Sequence, residues 1–387
     1  MGRHREHTSG KDGFVLTEDD SRSDWGALRL TLLLRCAYSL MGAAFGYVQA
    51  WNWSLVHSNA LTETLSSPNR SLGYLLFGVW NRFDTLWYLH IAAHGYDRPD
   101  AIVFFPLYPL LIRIASLLVA PMAAALLISS VASGFFFWGL GELLPGDQSA
   151  GAARQSIFLC AVWPASFIFF AAYPESLLAA LIVWALCMAA RDCWSWAAVL
   201  GMAAALTKAV GIVVLLPLLV MAIRRRNRHA LSVIFVPLGS VSFVAYLRWT
   251  GHGAIWSSYE HYWRTVSAPP WTTLGAAAHS LWETGNPILA LNLSCLIVVC
   301  VLVATSRVMI EYLLFSVGVM GAVLCKRTTP PLQSMIRYLL IVFPAYVGLA
   351  RWLDRPFLRP RFGMVCAALF ILNLALMWLF LGWSLVV

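Results

Sequence analysis

The stretch "IVFFPLYPLLIRIASLLV", residues 102 to 119, decides how the rest of the chain is arranged. The run is apolar enough to cross a membrane, but Pro106, Pro109 and Arg113 interrupt it. Proline removes a backbone donor from a helix, and polar groups are tolerated at membrane depth only where protein or water satisfies them. Whether this run crosses the membrane determines the orientation of every later segment.

The composition around this stretch is that of a membrane protein. Of the 387 residues, 60% are hydrophobic and only 12% are charged, which is outside the balance of soluble domains. Apolar runs of roughly 15 to 24 residues favour α-helical spans over the shorter alternating strands of a barrel. We therefore predict an all-α polytopic membrane protein with about 11 transmembrane helices. The candidate spans are 27–50, 121–141, 155–172, 175–191, 194–208, 210–223, 230–249, 286–305, 308–325, 336–350 and 362–385.

The formal net charge of +9 does not indicate a nucleic-acid partner, because the excess lies in short clusters between spans. The clusters are "RRRNRH" at 224–229 and "RWLDRPFLRPR" at 351–361. Basic loops favour the cytoplasmic side, and both clusters lie there only if 102–119 does not cross. This run is therefore predicted to be an interfacial helix within a first external loop, 51–120.

The domain organisation predicted from the sequence is simple. Residues 1–24 are polar and of mixed charge, which predicts a disordered cytoplasmic tail. Residues 25–387 then form a single transmembrane domain.

This topology brings four charged residues to the outer side. Asp84 lies in the first external loop, and Glu175, Lys208 and Arg337 lie at the outer ends of candidate spans. Asp84 is either a general base or a loop carboxylate that pairs with Arg82 or caps a helix. The other three either snorkel to the interface or together bind a reacting anionic headgroup.

His90 and His94 have the i, i+4 spacing that can hold a metal, but "HIAAH" lacks the glutamate of HExxH and a clear third ligand. They are predicted to be structural or to contact the substrate, and no metal is predicted. The eight cysteines show no CxxC pair, so they are predicted to be small core residues.

Four motifs, in this order, resemble those of the PIG-V-type mannosyltransferases, which add the second mannose to glycosylphosphatidylinositol anchors in eukaryotes and have shorter bacterial relatives. The motifs are "RFDTLWYLHIAAHGYD" at 82–97, "VFFPLYPLLIR" at 103–113, "YPESLLAAL" at 173–181 and "IRYLLIVFP" at 336–344. Two positions depart from the family pattern. Phe83 stands where Trp is usual, and Lys208 of "LTKAVG" stands where Arg is expected.

The resemblance implies a GT-C fold that transfers a sugar, outside the cytoplasm and with inversion, from a polyprenyl- or dolichyl-phosphate donor to a lipid or glycolipid acceptor. It implies that Asp84 is the catalytic base and that Arg337 and Lys208 bind the donor phosphate. The substrate-binding residues expected on the same motifs are Arg82, His90, His94, Tyr96, Tyr173, Glu175 and Tyr338.

The expected location and requirements follow from the same resemblance. The chain is expected in a bacterial plasma membrane, or in the endoplasmic reticulum if the host is eukaryotic. Because the leaving group is already a lipid phosphate, no nucleotide cofactor is expected.

A transporter or lipid flippase is the main alternative, because it would also be polytopic and basic on its inner side. Transporters often show internal repeats and helices broken at matching positions, and neither feature is clear in this sequence. A purely structural membrane scaffold is a further alternative. It would not need acidic, basic and aromatic residues together in its external loops.

Overall fold

The computed structural model describes residues 18–48, 61, 69–144 and 150–384. Most of the predicted tail, 1–17, the last two residues of the first predicted span, 49–50, and part of the first external loop, 51–60 and 62–68, therefore lie outside the described residues. Residues 18–24, which the sequence assigns to the end of the tail, belong to the first helix.

The described chain is almost entirely helical. The α-helices are α1 Glu18–Val48, α2 Leu72–Leu76, α3 Asp84–His94, α4 Leu107–Ala115, α5 Pro121–Leu143, α6 Ala150–Val162, α7 Glu175–Ala190, α8 Trp194–Thr207, α9 Leu215–Arg225, α10 Leu238–Trp249, α11 Ile255–Trp263, α12 Pro270–Thr284, α13 Pro287–Thr305, α14 Ile310–Leu324, α15 Met335–Tyr338, α16 Phe343–Leu353 and α17 Phe362–Leu381. Two-residue strands, β1 Val266–Ser267 and β2 Lys326–Arg327, pair antiparallel. The 3₁₀ helices are Gly78–Trp80, Ala101–Val103, Ser166–Phe170, Ala209–Val214, Arg228–Phe235, Leu339–Ile341 and Arg359–Arg361.

Five helical segments of the described chain are long and apolar enough to cross a membrane. They are Gly26–Val48, Pro121–Leu143, Arg228–Trp249, Pro287–Thr305 and Arg359–Leu381. Each overlaps one of the predicted spans. Together with the near absence of strands, they confirm the all-α polytopic architecture.

The other six predicted spans are not long straight helices. Three are apolar but short: α7 with 16 residues, α8 with 14 and α14 with 15. The predicted span 336–350 is a pair of helices bent by 80°. The predicted spans 155–172 and 210–223 each combine an α-helix with a 3₁₀ segment. Hydropathy alone cannot distinguish a continuous helix from a short, bent or interrupted one, because the residues at the breaks are largely apolar too.

The run 102–119 is too short as a helix to cross a membrane. A 3₁₀ turn, Ala101–Val103, is followed by α4, which begins after Pro106 and ends at Ala115. Its nine residues extend about 13 Å, whereas the hydrocarbon core is about 30 Å thick. This agrees with the predicted interfacial helix, and its side of the membrane stays a prediction.

The short helices share one charged end. Arg225 Nη1 lies 3.3 Å from Asp192 Oδ2 in the turn between α7 and α8. Arg224 Nη1 lies 2.6 Å from Glu311 Oε1 in the first turn of α14. The "RRRNRH" cluster therefore gathers at the end of α7, α8 and α14 that is opposite to Glu175, Lys208 and Lys326.

Candidate functional site

Asp84 is the first residue of α3, and the backbone before it holds it in place. Phe83 has a φ of 47°, a conformation that is unfavourable for a bulky side chain. Its ring packs against Phe380 and Trp383, with centroids 5.5 and 4.6 Å away. The N–H of Asp84 donates a hydrogen bond of 3.3 Å to Tyr173 Oη. These contacts hold the backbone from which the Asp84 side chain extends.

Glu175 is the first residue of α7, directly after Pro174. Its side chain is only 2% exposed. Lys208 Nζ donates to Glu175 Oε1 at 2.5 Å. The second carboxylate oxygen, Oε2, is buried and has no hydrogen-bond partner among the described residues. Glu175 therefore keeps one acceptor unused inside the protein.

Lys208 is positioned by an abrupt change of backbone at the end of α8. It is extended, with φ −162° and ψ 147°, and the 3₁₀ helix Ala209–Val214 follows it. The N–H of Gly211 donates to the Lys208 carbonyl at 2.8 Å. A Cβ at Gly211 would lie 2.0 Å from the carbonyl oxygen of Ala204. Only glycine allows this approach, which turns Lys208 toward Glu175.

Substituting Gly211 with alanine should disturb the position of Lys208. Because the new methyl group would overlap backbone, the Ala209–Val214 segment must shift, and we expect Gly211→Ala to lower the unfolding free energy by about 1–3 kcal/mol. The measurement is thermal unfolding in detergent. Gly275→Ala is the control, because a Cβ there meets nothing within 4 Å. Equal melting temperatures for the two variants would contradict this role for Gly211.

Arg337 lies on the four-residue helix α15, which is anchored from both sides. Ser334 precedes it with a φ of 62°, and the Ile336 N–H donates to Asn292 Oδ1 at 3.0 Å. Arg337 Nη1 donates to Asp84 Oδ2 at 2.6 Å. Its Nε lies 3.2 Å from Glu175 Oε1, which is an ion pair without hydrogen-bond geometry. One guanidinium therefore joins two carboxylates.

Asp84, Arg337, Glu175 and Lys208 form one continuous ion network of two carboxylates and two cations. Aromatic rings enclose it. The Arg337 guanidinium lies 5.2 Å from the Tyr173 ring centroid and 5.4 Å from that of Tyr338, and Lys208 Nζ lies 4.4 Å from the Tyr338 centroid. Rings that face cations in this way stabilise them in partly desolvated surroundings.

The network faces a cavity of about 390 Å³, a volume in the range of small-molecule sites. Asp84, Lys208 and Arg337 are among the residues that line the cavity. Apolar and aromatic residues line much of the remainder, among them Tyr88, Val103, Phe104, Val213, Trp256, Trp263 and Val323. The arrangement suits a ligand with a charged group and an apolar portion.

The cavity also contains a polar pair that was not predicted from the sequence. Lys326 and Tyr259 both line it, and Lys326 Nζ donates to Tyr259 Oη at 3.2 Å. A signal for Lys326 was present, because it follows an apolar run at the same end as Arg337. Nothing local marked Tyr259, which lies in the middle of α11.

Arg82 and Tyr96 are not brought to the cavity lining. The Arg82 guanidinium is buried and donates to the carbonyl of Leu381 at 2.7 Å and to Tyr74 Oη at 3.1 Å. Tyr96 Oη donates to the carbonyl of Phe104 at 2.7 Å. These contacts are structural, so the predicted substrate contacts of both residues have no support from the geometry.

The two histidines lie toward the other end of α3 from Asp84. His90 Nε2 lies 2.7 Å from Asp97 Oδ1, and the rings of His90 and His94 are 5.0 Å apart. Slight burial opposes ionisation of Asp97, but its hydrogen bond to His90 keeps its pKa below the ordinary value. In the described part of the chain, no three His, Cys, Asp or Glu side chains form a metal-binding group.

The chain is similar in structure to a solved membrane protein. ArnT from Cupriavidus metallidurans, in the apo state, matches 80% of this chain and 74% of its own length, with 15% identity and a TM-score of 0.48. The chain matches no protein-family model and no curated protein sequence. A similarity at this level does not by itself assign an activity.

Proposed function

We propose that this chain is a membrane glycosyltransferase that moves a sugar from a polyprenyl-phosphate donor to a lipid or glycolipid acceptor. The observation that carries the proposal is the ion network at the cavity. A carboxylate, Asp84, lies 2.6 Å from a cation, Arg337, and both line one cavity with largely apolar walls. A base for an acceptor and a cation for a lipid phosphate are the two charges that this transfer requires.

The reaction balances with these groups alone. The acceptor hydroxyl oxygen forms a bond to the anomeric carbon from the face opposite the phosphate, and its proton passes to Asp84. The bond between the anomeric carbon and the phosphate oxygen breaks, and its electron pair stays on the lipid phosphate. Nearby cations stabilise that charge as it develops. The anomeric centre is inverted, and no nucleotide takes part.

Mannose as the sugar, and a dolichyl-phosphate-type donor, rest on the resemblance of the sequence motifs to the PIG-V-type family. The three motif residues Asp84, Glu175 and Arg337 meet in space although they are far apart in sequence. This convergence supports the motif interpretation, because separate structural roles would not require it. A transporter or lipid flippase would bind the same lipid without forming a glycoside.

The proposed location is a bacterial plasma membrane with the cavity facing away from the cytoplasm. The cavity lies at the end of α7, α8 and α14 that is opposite to the Arg224–Arg225 end. Because clusters of arginine favour the cytoplasm, the opposite end is proposed to be outside.

Thiol labelling in intact cells tests this orientation. In a variant without native cysteines, Arg226→Cys and Phe357→Cys should react with an impermeant maleimide only after permeabilisation. His279→Cys is the control, because its side chain is 73% exposed on α12, at the proposed outer side. It should react in intact cells. Labelling of both the Arg226→Cys and the Phe357→Cys variants in intact cells would contradict the proposed orientation.

The activity test supplies purified protein with radiolabelled polyprenyl-phosphate mannose and a membrane lipid extract. A labelled glycolipid is expected, and it should be absent when the protein is heat-denatured. In a parallel experiment, proteoliposomes carry the same labelled donor, and its movement between leaflets is measured. Movement of the donor between leaflets without any new glycoside would instead support the transporter or flippase.

A further inference from the structure

Lys326 occupies a distinct place on the cavity wall. It begins β2, directly after α14 and Cys325, and β2 pairs with β1 in the register Ser267 with Lys326. Lys326 lines the cavity, whereas its neighbour on the strand, Arg327, is exposed and does not. Successive side chains of a strand point to opposite faces, which explains the difference.

The charge of Lys326 is not balanced by the ion network. Asp84 and Glu175 are matched by Arg337 and Lys208, so that network is neutral as a unit. Lys326 Nζ contacts a neutral group instead, the hydroxyl and ring of Tyr259, at 3.2 Å and at 4.3 Å from the centroid. Within the described ranges of the chain, no carboxylate forms an ion pair with Lys326. The cavity therefore carries one excess positive charge.

Lys326 stays charged despite its position. Burial disfavours its ammonium form, but the phenol groups of Tyr259 and Tyr338 outweigh this and raise the pKa of Lys326 above its ordinary value. A half-buried charge without an opposite charge carries a desolvation cost. Such a cost is offset when an anionic ligand enters and supplies the missing charge.

We propose that Lys326 binds the phosphate of a lipid-borne ligand in this cavity, with Tyr259 holding the ammonium in position. The same cavity contains Asp84, so the phosphate would lie within reach of the reacting groups. Identifying this phosphate as that of the sugar donor rests on the proposed function. The binding of a lipid phosphate does not rest on it.

The walls of the cavity favour a lipid phosphate over free phosphate. Val103, Phe104 and Val213 line it, and the apolar lining is more extensive than the polar one. A free phosphate ion would leave this surface in contact with water. The apolar stem of a lipid would cover it and gain the free energy of burial.

The test measures binding of three probes to the full-length chain in detergent by titration calorimetry. The probes are farnesyl phosphate, farnesol and inorganic phosphate. The wild type should bind farnesyl phosphate most tightly. Lys326→Met should weaken it by about tenfold or more, which is the scale of a lost charge-assisted hydrogen bond, and should leave farnesol unchanged. Lys326→Arg should retain most of the affinity.

Arg327→Met is the matched control, because it removes a neighbouring positive charge that does not line the cavity. Its affinity for farnesyl phosphate should stay within about twofold of wild type, since exposed charges are screened. If Lys326→Met does not fold, as judged by thermal unfolding, Lys326→Gln replaces it. Wild-type affinity in the folded neutral variant, or an equal loss in Arg327→Met, would overturn the assignment.

The outcomes separate this assignment from the proposed activity. Lys326-dependent binding of farnesyl phosphate without any glycoside product would retain the assignment and reject the transferase. A normal glycoside product with unchanged donor affinity in Lys326→Met would retain the transferase and reject the assignment of Lys326. Inorganic phosphate that binds as tightly as farnesyl phosphate would exclude a lipid-specific subsite.

Discussion

Asp84→Asn should lower sugar transfer by about 10²-fold or more while donor binding persists, because the amide keeps the size of the side chain but cannot accept the proton. The substitution is informative because Asp84 is held from two directions. Its N–H donates to Tyr173 Oη, and its carboxylate accepts from Arg337. The amide oxygen can still accept from Arg337, so the geometry of the cavity should persist. The measurement is single-turnover transfer at saturating donor.

The control for this experiment is Asp97→Asn. Asp97 lies in the same sequence motif but pairs with His90 and does not line the cavity. Its substitution should leave transfer within about twofold of wild type, since an exposed pair of this kind contributes little. If folded Asp84→Asn transferred sugar as fast as Asp97→Asn, the base would have to be another group. Glu175 would be examined first, because its Oε2 has no hydrogen-bond partner among the described residues.

Glu175→Gln should cause a large loss of stability. Glu175 is nearly fully buried and faces both Lys208 and Arg337. A neutral amide leaves these two cations without half of their compensating charge. Breaking a buried ion pair by removing one partner costs about 3–5 kcal/mol, so a clear fall in melting temperature is expected. The measurement is thermal unfolding in the same detergent as wild type.

The same chemical change at a surface pair serves as the comparison. Glu283 lies 3.3 Å from His279 on α12, and its side chain is 60% exposed. Glu283→Gln should change stability by less than about 0.5 kcal/mol, because water and salt screen such a pair. A Glu175→Gln protein as stable as Glu283→Gln would mean that water hydrates the network. The charges would then be independent of one another.

Much of the site could be predicted from the sequence because its key residues lie inside short motifs. Charged residues where an apolar run begins or ends are candidate site residues. Four residues have such positions: Asp84, Glu175, Lys208 and Arg337. The structure brings all four together. The motif at 82–97 did not reveal that Arg82 donates to a carbonyl 299 residues later in the chain. Local sequence carries no information about such distant backbone acceptors.

The orientation of Lys326 could not be predicted from the sequence. Its charge and position were visible, but its orientation depends on a two-residue strand pairing with Val266–Ser267. Strands of this length leave no alternating pattern that a sequence could show. The predicted span 336–350, which the structure shows as two helices bent by 80°, was missed for a related reason. Leu339–Ile341 is as apolar as a continuous helix, and only its backbone reveals the bend.

The three short helices have a consequence for the depth of the cavity in the bilayer. Helices α7, α8 and α14 rise from the arginine-rich end, and at 1.5 Å per residue they extend about 21 to 24 Å. Glu175, Lys208 and Lys326 stand at or just beyond their far ends. A hydrocarbon core about 30 Å thick would therefore extend roughly 6 to 9 Å past these charges. Such a mismatch is relieved by local thinning of the bilayer, which would lower the headgroup plane toward the cavity. The lipid phosphate would then meet these cations without leaving its leaflet.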